Sequence, residues 1–210
     1  MDLREKILSK SSQLMMSIGP QSVTMDMVAR DCGISKRTLY ETFPNKHALI
    51  SAVVKHSHDT NSAKYKQIFE ESENSFAALM GVYVLLRHYL RNISTVYMSD
   101  IKRLYPEIFN QYKVQETAHR KSLSKIIKQA QDEGFVLPDI NCDIASFLLS
   151  HTMKNLHDSE DLRNFNYNPI YVFDGAFLNF MRGIATEKGR DIIHTYVEKH
   201  IQHETINNNL

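Results

Sequence analysis

The sequence predicts an all-α protein with a small N-terminal domain and a larger C-terminal helical bundle. The 210-residue chain contains only 7 Gly and 5 Pro, and its most frequent residues favour helix over strand. Apolar residues recur at helical spacing through most of the chain. The sequence has no hairpin turn dipeptides between alternating apolar runs, and no internal repeat.

The composition narrows the class of protein. An apolar fraction of 42% and a charged fraction of 23% are typical of globular proteins. With a formal net charge of +1, an anionic polymer would have to be bound by a local positive surface. The two cysteines lie far apart in sequence, and we find no signal peptide and no apolar run of about 18 residues. These features favour a cytoplasmic protein.

The first two helices are delimited by capping residues. Residues 2–18 predict a helix that ends at Gly19-Pro20, because Gly adopts positive φ and Pro cannot continue a helix. Thr24 is a good N-cap for the second helix, since its hydroxyl can accept from a free backbone N–H. The apolar face of the first helix consists of Leu3, Ile7, Leu14, Met15 and Ile18.

Residues 24–42 predict two helices joined by a short turn that contains Gly33, which is the helix-turn-helix arrangement. Ser35 caps the third helix, which runs from Lys36 to about Thr42. Pro44 ends it, and Asn45 caps a fourth helix that runs from Lys46 to about Glu71.

We place the helix-turn-helix domain at residues 1–50 and the C-terminal domain at residues 51–210. Further helices are predicted after Asn74-Ser75, from Pro106 to Asp132, and over residues 141–157, 170–185 and 189–203.

The stretch KRTLYETFPNK (36–46) has one apolar side, formed by Leu39 and Phe43. The rest of its surface carries hydrogen-bond donors, among them Lys36 and Arg37, which can pair with guanine. From spacing alone a solvated helix and a nucleic-acid surface are equally open, and the helix-turn-helix context favours the second. Lys46 opposes the dipole of the fourth helix, and a bound phosphate would favour it there.

The segment TMDMVARDCGISKRTLYETFPNKHALI (24–50) resembles the DNA-binding signature of the TetR family of bacterial transcriptional regulators. The resemblance implies a homodimer that binds a palindromic operator on double-stranded DNA. Each third helix would enter a major groove, with half-sites about one DNA turn, roughly 34 Å, apart. The matching residues are Val28, Ala29, Gly33, Ile34, Ser35, Thr38, Leu39, Tyr40, Phe43, Lys46 and Leu49.

Carried over position by position, the resemblance implies that Lys36 and Arg37 read bases, with Thr38 close behind. Contacts to phosphates, which set the register, are implied for Thr24, Tyr40 and Lys46. Ser35 completes the predicted DNA-binding set. Many relatives have a small residue where this chain has Arg37, so we expect an operator preference shifted toward guanine.

The resemblance also implies that the C-terminal domain binds a ligand and dimerises through its last two long helices, matched here by residues 141–157 and 168–185. Dimer contacts are expected at Phe147, Leu148, Phe173, Phe177, Phe180 and Met181, unless these fill the subunit's own core. An unknown small-molecule effector, lipophilic or aromatic, would bind in a pocket of this domain. The residues expected to line that pocket, each of which is otherwise ordinary core or surface, are Tyr83, His88, Tyr97, Tyr105, Phe109, Tyr112, His119 and His151.

Motifs for catalysis, metal binding or a cofactor are missing from the sequence, so we expect no enzyme. We expect an effector-responsive repressor. One alternative is an activator or global DNA-binding protein without an effector. Another is a helical ligand-carrying or interaction protein that does not bind DNA.

Overall fold

The computed structural model describes residues 2–94, 96–158 and 168–202, with the backbone alone at 111–119, 154–158 and 202. Throughout these ranges the regular secondary structure is helical, and one isolated antiparallel bridge joins Val136 to Ala185. The predicted all-α class is confirmed. In the described ranges, no helix is long and apolar enough to cross a bilayer.

The helices are numbered here in chain order. Their bounds are α1 (Leu3–Ile18), α2 (Met25–Cys32), α3 (Lys36–Thr42), α4 (Lys46–Glu71), α5 (Ser75–Asn92), α6 (Tyr97–Leu104), α7 (Pro106–Asp132), α8 (Cys142–Asp158), α9 (Pro169–Ile184) and α10 (Glu187–Val197), followed by a π-helical turn (Glu198–Gln202).

The predicted N-caps are all present. The Thr24 hydroxyl accepts from the Met27 N–H at 3.2 Å, and the Ser35 hydroxyl accepts from the Thr38 N–H at 3.0 Å. The side chain of Asn45 accepts from the Ala48 N–H at 2.8 Å. Each bond satisfies one of the backbone donors that the first turn of a helix leaves unpaired.

The chain forms two compact units. The first contains the residues up to 65 together with 92–115, and the second contains 66–91 and the residues from 116 onward. Helix α4 therefore passes from the first unit into the second. The division at residue 50, inferred from the sequence, stays a prediction. The segment 92–115 was expected in the C-terminal domain and clusters with the N-terminal helices.

The core of the first unit is built from the inner faces of α1 to α4. Ile7 and Met15 of α1 are completely buried, as are Leu39 of α3 and Ile50 of α4. The expected apolar face of α1 is shorter than predicted, because Leu3 and Ile18 lie at its two ends and remain exposed.

A ring cluster on α5 and α9 forms much of the core of the second unit. The ring of Tyr83 stacks on Phe177 with centroids 4.8 Å apart and on Phe173 at 5.5 Å. The Tyr83 hydroxyl donates to Asp174 at 2.6 Å, and the Arg87 Nε donates to the same carboxylate at 2.9 Å. Burial and the Asp174 carboxylate raise the pKa of Tyr83 well above its ordinary value.

Candidate nucleic-acid interface

The turn between α2 and α3 is fixed by its backbone. Gly33 has a φ of +64° in the left-handed region, which suits glycine and ends α2. The Ile34 N–H donates to the Ala29 carbonyl at 3.0 Å. Beyond the turn, Leu39 and Phe43 are buried as predicted and anchor one side of α3 in the core.

The opposite side of α3 faces outward. The side chain of Arg37 is 90% exposed and that of Lys36 is 64% exposed. Tyr40 is also exposed, whereas Thr38 is half-buried with its hydroxyl 2.8 Å from that of Ser35. This outer surface is what a recognition helix presents to the major groove, which is wide enough for an α-helix.

Both predicted base readers are paired with carboxylates. Lys36 Nζ lies 2.6 Å from Asp26 Oδ2, and Arg37 Nε lies 2.9 Å from Glu41 Oε1. Exposed pairs of this kind contribute about 0–1 kcal/mol, so exchanging them for DNA contacts costs little. Asp26 and Glu41 were not among the predicted residues, although Arg37 and Glu41 have the i, i+4 spacing of a helical ion pair.

Lys46, the predicted phosphate contact at the start of α4, is half-buried and bonded within the protein. Its Nζ donates to the Gln21 carbonyl at 2.8 Å. Burial lowers the pKa of Lys46, and the negative charge of Asp100 acts in the opposite direction. The Gln21 carbonyl thus gives this cation a hydrogen-bond acceptor, and Asp100 gives it a favourable charge, despite the unfavourable helix dipole. Thr24, the remaining predicted phosphate contact, is exposed at the N-cap of α2.

Two residues of α6 reach the same loop, and neither contact was predicted, because neither residue belongs to a motif. The Gln21 N–H donates to Asp100 Oδ2 at 2.9 Å, and Arg103 Nη2 donates to Gln21 Oε1 at 2.5 Å. Three polar groups of Gln21 are therefore engaged, by Asp100, Arg103 and Lys46.

The predicted effector-pocket residues are distributed over both units. Tyr97, Tyr105 and Phe109 pack against the core of the first unit. The second unit contains His88, His151 and Tyr83, and Tyr83 is completely buried in the ring cluster. The side chains of Tyr112 and His119 lie outside the described residues. The pocket assignment stays a prediction.

A groove of about 570 Å³ lies in the second unit between the end of α4, the start of α5 and α10. Glu71, Glu73, Asp191 and Tyr196 are among its lining residues, with Ile68 and Ile192 as apolar neighbours. The predicted pocket residues with described side chains do not line it.

The predicted dimer contacts fall into two groups. Phe173, Phe177 and Met181 are buried in the core of the second unit, and Phe180 is half-buried. Phe147 and Leu148 on α8 are both 47% exposed.

Two further large apolar side chains are exposed on the same helices, Ile144 at 57% on α8 and Tyr171 at 61% on α9. Ile144 was missed, although it precedes Phe147 and Leu148 by three and four positions, the spacing of one helical stripe. We call Ile144, Phe147, Leu148 and Tyr171 the exposed apolar residues of α8 and α9.

The cysteines and the potential metal ligands show no special arrangement. Cys32 is buried, and burial raises its pKa. Among the described side chains, no group of three His, Cys, Asp or Glu residues is close enough to hold a metal ion.

Sequence comparison adds to this geometry. The family described as "Bacterial regulatory proteins, tetR family" matches residues 7–53, which span α1 to the first part of α4. The match confirms the resemblance to the TetR family found in residues 24–50. It is 26% identical over 149 residues to the transcriptional regulator UidR of Escherichia coli K12, an alignment that covers 70% of this chain and 75% of UidR. It is 21% identical over 146 residues to the transcriptional repressor KstR2 of Mycobacterium tuberculosis H37Rv, covering 67% of this chain and 72% of KstR2.

A longer match, with 27% identity over 184 residues, is to the nucleoid occlusion factor SlmA of Serratia proteamaculans, covering 83% of this chain and 90% of SlmA. Solved structures share the fold. A TetR-family regulator from Agrobacterium tumefaciens gives a TM-score of 0.69 at 12% identity, covering 88% of this chain and 98% of the other. The ketosteroid regulator KstR2 of Mycobacterium tuberculosis gives 0.59 at 20% identity, covering 89% and 96%.

The chain is therefore a transcriptional regulator with a DNA-binding helix-turn-helix. Regulators of this family are not enzymes, which confirms the expectation that the chain has no catalytic activity.

Proposed function

We propose that this TetR-family chain is a repressor that binds a palindromic operator as a homodimer, with α3 of each protomer in a major groove. The observation that carries the proposal is the orientation of α3. Leu39 and Phe43 fix its inner side in the core, while Lys36 and Arg37 extend outward. KstR2 is named a transcriptional repressor, which supports repression rather than activation.

The polar residues around α3 divide into two roles. Lys36 and Arg37 contact base edges, with Thr38 beside them. The bond from Arg37 Nε to Glu41 leaves the two Nη groups of the guanidinium for the O6 and N7 acceptors of guanine. Contacts to phosphates set the register and are assigned to Thr24, Tyr40 and Lys46, and Ser35 completes the DNA-binding set.

The homodimer is proposed to form through α8 and α9. Both helices leave large apolar side chains exposed, and a second copy of the chain would cover them with the same residues, as two-fold symmetry requires. Phe173, Phe177 and Met181 would support this surface from within the protomer.

A small-molecule effector, lipophilic or aromatic, would act through the second unit. The two α3 helices of a dimer must bind both half-sites at the same time. A change of a few ångströms in their separation would therefore remove much of the bivalent affinity. Helix α4 belongs to both units and is the proposed carrier of this coupling, which is typically about 1–3 kcal/mol.

A second candidate is DNA binding without an effector. It would be a global DNA-binding protein, and the support for it is the alignment to SlmA, which is named a nucleoid occlusion factor and covers more of this chain than the alignments to UidR and KstR2. In either case the chain would act where chromosomal DNA is accessible, in the cytoplasm.

The test is a mobility-shift titration against the DNA upstream of the chain's own gene. We expect salt-dependent binding that the double variant Lys36→Ala/Arg37→Ala abolishes. The matched control is Lys66→Ala/Lys128→Ala, which removes two exposed, ion-paired cations of the second unit. Equal loss of affinity in both double variants would show that net charge, not α3, determines binding.

A further inference from the structure

The start of α6 packs closely against the loop between α1 and α2. Gly19 in that loop has a φ of +83°, and a Cβ at this position would lie 2.7 Å from Val96 Cγ2 and 2.9 Å from Asp100 Oδ2. Glycine is therefore required at this position both by the backbone and by the space. The backbone adds a second link, because the Ser94 N–H donates to the Met16 carbonyl at 2.6 Å.

Asp100 is a carboxylate that the loop covers. It is only 6% exposed, and it accepts a hydrogen bond from the Gln21 N–H at 2.9 Å and a longer one from Arg103 at 3.5 Å. A buried carboxylate is costly unless it is paired and hydrogen-bonded, so Asp100 holds Gln21 firmly.

The opposite side of the same Gln21 backbone holds the cation at the start of α4. Lys46 Nζ donates to the Gln21 carbonyl at 2.8 Å. An ammonium group has three donors, so this bond leaves two for a phosphate oxygen. The side chain of Gln21 is fixed as well, by Arg103.

We propose that Asp100 of α6 is a positioning residue for DNA binding, which acts through Gln21 to hold the Lys46 ammonium where the DNA backbone passes the start of α4. The proposal rests on the proposed role of Lys46 as a phosphate contact. It assigns part of the DNA-binding apparatus to a helix outside the helix-turn-helix, in the segment 92–115 that clusters with the N-terminal helices.

A purely structural role for Asp100 predicts something different. If Asp100 only stabilised the loop, its removal would lower the stability of the first unit, and any loss of DNA affinity would leave the number of phosphate contacts unchanged. The salt dependence of binding reports that number, because each neutralised phosphate contributes about 0.9 to the slope of log K against log salt.

The experiment uses the full chain and a fluorescein-labelled duplex that the wild-type chain has enriched from a random pool. Binding is followed by fluorescence anisotropy at several salt concentrations for the wild type, Asp100→Ala, Lys46→Ala and the double variant. We expect Asp100→Ala to bind about five- to tenfold more weakly, with a slope lower by about one, as Lys46→Ala does. The double variant should be no weaker than Lys46→Ala, because both residues act through one contact.

Glu107→Ala is the matched control. This exposed carboxylate also contacts the first turn of α4, but through His47, whose Nε2 lies 2.6 Å away. Its salt slope should equal that of the wild type. Asp100→Asn, which keeps the volume and one acceptor, tests the charge if the alanine variant does not fold, with an expected loss of two- to fourfold that disappears in the Lys46→Ala background.

The outcomes distinguish a failure of the proposed DNA-binding function from a failure of the positioning role of Asp100. A wild-type chain that enriches no duplex contradicts the proposed function itself. A wild-type chain that binds, with additive effects of Asp100→Ala and Lys46→Ala or an unchanged slope in folded Asp100 variants, overturns the positioning role alone. If Lys46→Ala binds with wild-type affinity, Lys46 makes no phosphate contact, and the positioning role of Asp100 is overturned as well.

Discussion

Replacing Phe147 with alanine tests the proposed dimer surface on α8. The Phe147 ring stacks on His151 with centroids 5.5 Å apart and lies 5.9 Å from the Arg120 guanidinium. About half of the residue nevertheless remains exposed, at 47%. If a second copy covers that half, truncating the side chain weakens the dimer.

The size of the effect follows from the exposed fraction. Burying a whole phenylalanine side chain contributes about 1.5–3 kcal/mol, so the exposed half of Phe147 has about 1 kcal/mol left to gain. Two-fold symmetry counts the substitution twice, which gives about 2 kcal/mol and a rise of roughly thirtyfold in the dimer dissociation constant.

Sedimentation equilibrium over a range of protein concentrations measures that constant. Leu104→Ala is the control, because Leu104 is a comparably exposed apolar residue, at 38%, in the first unit. It should leave the dimer unchanged. A dissociation constant in Phe147→Ala equal to that of the wild type, or a wild-type chain that is monomeric at all concentrations, would refute the reasoning.

The other predictions concern three separate parts of the chain. Arg37→Ala should lose about 1–3 kcal/mol on duplexes with guanine at one position and little on the others, measured by anisotropy on single-substituted duplexes; an equal loss on all of them would make Arg37 a phosphate contact. Asp174→Ala should lower the free energy of unfolding in urea by about 3–5 kcal/mol, because it takes the carboxylate from buried Arg87, whereas Tyr83→Phe should cost about 1 kcal/mol. Burial raises the pKa of Tyr97 from 10.0 to about 12, so folding favours the neutral phenol and stability falls as the pH rises through this range; Tyr97→Phe should fall less steeply, and an identical pH profile would contradict this.

The helix-turn-helix was predictable because its elements are determined locally. Thr24 and Ser35 cap their helices through residues three positions away, and Gly33 supplies a left-handed backbone conformation on its own. Each of these effects depends on neighbours in the sequence, which a single sequence displays.

The contacts that support Lys46 could not be predicted in the same way. Gln21 and Asp100 are 79 positions apart, and neither residue belongs to a motif. Only the packing of α6 against the loop between α1 and α2 brings them together. For the same reason the order of the chain placed the segment 92–115 in the predicted C-terminal domain, whereas in the structure it clusters with the N-terminal helices.

The apolar helix α9 shows a different limit. Its residues are apolar on nearly every side, so periodicity does not tell the inner face from the outer one. Phe173, Phe177 and Met181 lie inside the protomer, whereas Tyr171 is exposed. Burial in the folded chain is needed to separate the two sets.

The most direct test of DNA recognition by this chain is the stoichiometry and salt dependence of binding to a duplex selected from a random pool. We predict an inverted repeat with half-sites about one helical turn apart, two chains per duplex, and an affinity that falls about a thousandfold or more between about 50 and 200 mM salt. Selection that enriches no sequence, with weak binding that the Lys36→Ala/Arg37→Ala variant retains, would contradict recognition through α3.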